Sequence, residues 1–148
     1  MTVLIRLSAA LLLASLAACQ ASTSNEDVPG DADDTAPFDL IGANETVRFT
    51  GTEPFWGGQV QGTALTYSTP ENIDGSDIKV TRFAGRGGVS WSGTHAGARF
   101  ALAVTPGQCS DGMSDRTYPF VATLEVQGEQ RNGCAWTERQ SFTGPQAP

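Results

Sequence analysis

A chain of 148 residues with 39% apolar side chains is long enough for one domain with its own core. Its net charge of −7 sits mostly ahead of that domain: residues 20–44 hold six acids and no base, whereas from Glu45 onward ten acids face eight bases. This leaves no basic patch for nucleic acid, and a single histidine rules out a multi-histidine metal centre.

Residues 1–6 carry one positive charge, and residues 7–16 are an apolar run too short to span a bilayer permanently. The tetrad Leu16-Ala17-Ala18-Cys19 that follows resembles the lipobox of bacterial lipoproteins, in which the cysteine is lipidated and becomes the first mature residue. The resemblance implies a signal peptide over residues 1–18 and acyl chains, palmitate among them, on Cys19. Each buried methylene contributes about 0.8 kcal/mol, so three chains hold essentially permanently. Gln20 in place of Asp resembles the pattern sorted to the outer membrane, with the domain facing the periplasm.

Residues 20–44 are too polar to bury a core and read as an acidic tether, reaching about 25–30 Å if flexible. Its Asp31, Asp33 and Asp34 lack the central Gly and closing Glu of a calcium loop, so no metal is expected. Phe38, Leu40 and Ile41 are the tether residues able to dock on the domain and mark its start; the pattern proper begins at residue 45 and runs to 148.

From there the period is two. Val47 and Phe49 alternate with polar neighbours, as do Trp56 and Val60, Leu65 and Tyr67, Ile78 and Val80, and Val89 and Trp91. Phe100, Leu102 and Val104 form the next face, then Phe120, Ala122, Leu124 and Val126, with Cys134 and Trp136 closing the series. Gly and Pro punctuate the runs, and a short helical turn fits only at residues 72–77 or 110–116. About eight short strands predict an all-β antiparallel meander, closed or nearly closed into a small barrel. Its inward residues are large enough to fill the interior, which argues against a roomy cavity. Runs shorter than about 9–11 residues argue against a membrane-spanning barrel.

Two stretches stand out. In Gly51-Thr-Glu53-Pro54-Phe55-Trp56, Pro54 starts a strand that turns Trp56 to the core and Phe55 to the rim. In Cys109-Ser-Asp111-Gly112-Met-Ser114-Asp115-Arg116-Thr-Tyr118, Asp111-Gly112 makes a turn. There Asp115 is expected to cap backbone donors, and Arg116 to pair with Asp115 or Glu53. With Cys19 assigned to lipid, Cys109 and Cys134 remain as an even pair in an oxidising compartment. Their bridge is worth about 3–4 kcal/mol in the chain-entropy description.

Together with Asn132-Gly-Cys134-Ala-Trp136, these two stretches resemble a family of small bacterial envelope proteins grouped as uncharacterised membrane-associated or lipoprotein domains. Its members are similar in size and setting to META domains and C-type lysozyme inhibitors. The resemblance covers roughly residues 45–138, implies a periplasmic β domain with a Cys109–Cys134 bridge, and carries over no catalytic residue.

The reading that follows is a monomeric, non-enzymatic outer-membrane lipoprotein whose barrel binds an envelope component without a cofactor. Glu53, Phe55, Trp56, Asp111, Ser114, Asp115, Arg116 and Tyr118 are the candidate binding residues. One alternative is a muramidase inhibitor that displays the 110–116 loop. The other is a hydrolase using Glu53, Asp111 and Asp115, which requires two of those carboxyls to converge within about 5–10 Å.

Overall fold

A computed structural model describes residues 35–145, and over them the chain is all β. Its strands are β1 Val47–Thr52, β2 Phe55–Gln61, β3 Ala64–Thr69, β4 Asn72–Ala84, β5 Val89–His95, β6 Ala98–Cys109, β7 Tyr118–Val126 and β8 Glu129–Thr137. Each pairs antiparallel with the next, and β1 returns to β8 from Val47↔Thr137 to Thr50↔Cys134, closing the barrel. Closure removes the unpaired edges through which open sheets aggregate. At Ala96-Gly97 and Gln127-Gly128 both turn residues have positive φ (50° and 80°, 54° and 81°), the twist that two-residue hairpins favour. Residues 72–77 extend β4 instead of forming a helical turn, with a register shift between Tyr67 and Thr69. The residues expected to form the signal peptide, Cys19 and the first part of the expected tether lie outside the described residues.

The expected alternation packs the interior. Phe49, Trp91, Phe100, Leu102, Phe120 and Leu124 are all buried in one core. Trp56 fits because two neighbouring positions carry no side chain. A Cβ on Gly51 would lie 2.1 Å from the Trp56 Nε1, and one on Gly133 would lie 2.9 Å from its Cζ2 and 2.1 Å from the Thr50 carbonyl oxygen.

That crowding reverses the expected facing of β8. Gly133 and Ala135 take the core side, and Cys134 and Trp136 point outward, where the segment after β6 and the chain after β8 cover them. Strand length also departs from expectation: β4 has 13 residues, β6 has 12, and β7 and β8 have nine each. These overlap the lengths of membrane strands, but the apolar faces turn inward, the inverse of a barrel that meets lipid.

The two barrel ends are finished differently. The β2–β3 and β4–β5 turns and the chain entering β1 form one end. There Ile41 is 1% exposed within the core and Phe38 packs beside it. Arg82 Nη2 donates to the Ile41 carbonyl at 2.7 Å, and the Phe38 amide donates to the Gly85 carbonyl at 2.7 Å. Arg139 pairs with the Glu45 carboxylate and also reaches the Leu40 carbonyl, which Gln140 Nε2 meets at 2.8 Å. The folded domain therefore starts by Phe38, several residues before the alternating pattern does. The other end, ringed by the β1–β2, β3–β4, β5–β6 and β7–β8 turns, has no such plug among the described residues.

Candidate functional site

The disulfide loop is built around its own carboxylate. Cys109 and Cys134 are joined, with Cα atoms 5.5 Å apart, which ties the end of β6 to the outward side of β8. From there the 110–117 segment lies against the outside of the wall, and Thr52 Oγ1 donates to the Asp111 carbonyl at 3.1 Å. Asp111 Oδ1 accepts from the amides of Met113 (3.0 Å) and Ser114 (2.8 Å). Its Oδ2 accepts from the Ser114 hydroxyl (2.7 Å) and the Tyr118 hydroxyl (3.1 Å). Burial pushes this carboxyl up, but the two amides and two hydroxyls outweigh it and hold the group at about 2. The capping expected of Asp115 thus falls to Asp111, four residues earlier, because Gly112 (φ 72°) folds the chain back over it.

Arg116 turns to the C-terminal segment. Its Nε donates to the Pro145 carbonyl at 2.8 Å, and its guanidinium lies 4.5 Å from the Phe142 ring centre. Phe142 completes a cluster with Tyr118 and Trp136, at ring separations of 5.3–5.8 Å. Paired bonds between Thr117 and Thr143 fasten the two segments. Asp111, Ser114, Arg116 and Tyr118 are therefore brought together, in a self-satisfied loop. Asp115 is exposed beside them, Trp56 is in the core, and Glu53 and Phe55 are exposed at the unplugged barrel end.

At that end lies a cavity of about 550 Å³. Its lip carries Pro54, Phe55 and Pro70, with Glu71 at the rim and Thr69, Asn72 and Gln127 around the sides. Toward its base lie Tyr67, Ser76, His95, Val126 and Arg131. The core is full as expected, so this concavity sits above the packed interior and not inside it. A single lumen filled by side chains still leaves a bowl where strands of unequal length end.

Three of these residues form a connected set. Arg131, inward-facing at the start of β8, donates from Nη1 to the Tyr67 hydroxyl at 3.0 Å and from Nη2 to Glu129 Oε2 at 2.9 Å. Its side chain is 16% exposed, whereas Glu129 is 66% exposed. Arg131 Nε is buried and has no hydrogen-bond partner among the described residues. The His95 ring meets Tyr67 edge-on at 5.5 Å and Phe100 at 6.4 Å. Burial pushes the Tyr67 hydroxyl up, opposed by Arg131 and aided by Glu129 and Glu71, so it stays a neutral O–H donor.

Sequence reasoning placed Phe55 at this rim but missed Tyr67, His95 and Arg131 as a group. Part of the signal was present: His95 shares parity with Val89 and Trp91, and Arg131 shares it with Ala135. No group of three or more His, Cys, Asp or Glu among the described residues is placed to hold a metal ion. Comparison with protein-family models, curated proteins and solved structures gave no match.

Proposed function

We propose that this chain is an outer-membrane-anchored bacterial lipoprotein whose barrel is a non-catalytic module that receives an envelope ligand at its unplugged mouth. The observation that carries the reading is the contrast between a filled, sealed interior and a bowl of about 550 Å³ at one end. That volume falls in the range of small-molecule sites, about 300–1,000 Å³, and several polar side chains converge in it beneath Pro54, Phe55 and Pro70. The anchor rests on the Leu16-Ala17-Ala18-Cys19 tetrad. The hydrolase alternative has less support, because the Asp111 carboxylate already accepts four hydrogen bonds and holds its charge down to about pH 2, leaving it a poor proton donor. The inhibitor alternative loses the same carboxylate as a contact for a muramidase.

Two measurements test the proposal. Replacing Cys19→Ser should abolish incorporation of labelled palmitate into the chain. Fractionated envelope extract should raise the melting temperature of the wild type but not of Ser76→Trp, whose indole fills the bowl. Palmitate incorporation without Cys19, or no fraction that raises the melting temperature, contradicts it.

A further inference from the structure

The chemistry at the base of the mouth narrows the ligand class, on the premise that the mouth is the binding end. Among the described residues the donors there outnumber the acceptors. Arg131 has five N–H donors, of which Tyr67 and Glu129 take two. The Tyr67 oxygen accepts from Arg131, so its own hydrogen is left to point elsewhere, and no described residue accepts it. His95 contacts Tyr67 and Phe100 only through its ring. The one acid on Arg131, Glu129, is mostly in solvent, where such pairs contribute little and exchange readily.

Charge and shape limit what can satisfy these donors. Glu71 at the rim opposes a second negative charge on the ligand. Phe55, 52% exposed on the lip, is an apolar surface with nothing yet against its outer face among the described residues. We propose that the mouth binds a small monocarboxylate with an apolar body, its carboxylate on Arg131 and Tyr67 and its body against Phe55. Arginine's planar fork suits a carboxylate, and the Tyr67 O–H supplies a third donor from the facing strand.

The single histidine makes the test direct, because one imidazole signal reports on the base of the mouth. The full-length chain is titrated with 3-phenylpropanoate, with 3-phenylpropylamine (the same body, opposite charge) and with phenyl phosphate as a dianion. The carboxylate should move the His95 resonances and saturate below about 1 mM. The amine and the phosphate should bind at least about tenfold more weakly, and Arg131→Gln should weaken the carboxylate by at least about tenfold. Tyr67→Phe keeps the ring contacts and loses the hydroxyl, and should cost about fivefold, which tests the idea even if the Arg131 variant does not fold.

Equal or tighter binding by the amine or the phosphate, or unchanged carboxylate binding in both variants, overturns the ligand class while leaving the mouth as a binding end. No His95 response to any probe, with envelope fractions still raising the melting temperature, also overturns it. No response to probes and fractions alike removes both the ligand class and the binding function.

Discussion

Two inward-facing arginines sit at opposite ends of this barrel and meet different surroundings. Arg82 donates to the Ile41 carbonyl, lies 6.0 Å from the Trp91 ring centre, and is roofed by the chain entering β1. Arg131 meets a tyrosine hydroxyl and a solvent-exposed glutamate, beneath an open bowl. One residue type in one kind of position is thus roofed by a segment at one end and left beneath an open bowl at the other, while the Nε of each is buried without a hydrogen-bond partner among the described residues. The sealed end should carry stability, and the open end should carry binding.

The largest effect is expected where the seal is cut. Ile41→Ala should lower stability by about 2–5 kcal/mol, since a fully buried side chain is lost from a packed core. A loss under about 1 kcal/mol in chemical denaturation would mean that residues 38–45 merely rest on the barrel. Next, replacing Cys109 and Cys134 together by Ser should cost about 2–5 kcal/mol and loosen the 110–117 loop. His95 resonances should barely move, because the loop lies on the outer wall.

A smaller effect comes from the Glu45–Arg139 pair. Hydrogen bonding to Arg139, helped by the Thr137 hydroxyl and the Gly42 amide, lowers the Glu45 carboxyl to about 2 against the opposing effect of burial. A depressed folded-state value stabilises above the unfolded value of 4.5, and this contribution is lost as pH falls toward about 2. The melting-temperature gap between wild type and Glu45→Gln should therefore be widest above about pH 5 and shrink on acidification. A gap independent of pH would show that the charge is not the cause. Asp111 loses its contribution over a similar range, so the variant should still be acid-sensitive. The smallest effect belongs to the open end: Phe55→Ala should change stability by less than about 0.5 kcal/mol. A larger loss would make Phe55 part of the fold and not of the lip.

How far the sequence led can be read strand by strand. Val47 and Phe49, Phe100 to Val104, and Phe120 to Val126 face inward as their period demands, because each strand's neighbours leave room for large side chains. In β8 the same logic fails: Cys134 and Trp136 look like core residues, but Cys134 is buried and Trp136 half-buried from outside, by the disulfide loop and Phe142. Strand periodicity tells which residues share a face, and the choice between faces depends on what lies across the barrel, here Trp56 against Gly133. The mouth was illegible for a related reason. Tyr67, His95 and Arg131 come from β3, β5 and β8, and only closure of the sheet brings three strand ends together. The cap at Asp111 was half visible: its Gly112 marked the turn, but which of two nearby aspartates would accept the amides depended on how tightly the chain reversed.

The most direct test is a chemical-shift map of the full-length chain saturated with 3-phenylpropanoate. Perturbations confined to the surroundings of Phe55, Tyr67, His95, Val126 and Arg131, with Ile41, Arg82 and Trp91 unmoved, are the predicted result. Shifts centred on the Ile41 end, or on the 110–117 loop, would contradict the account.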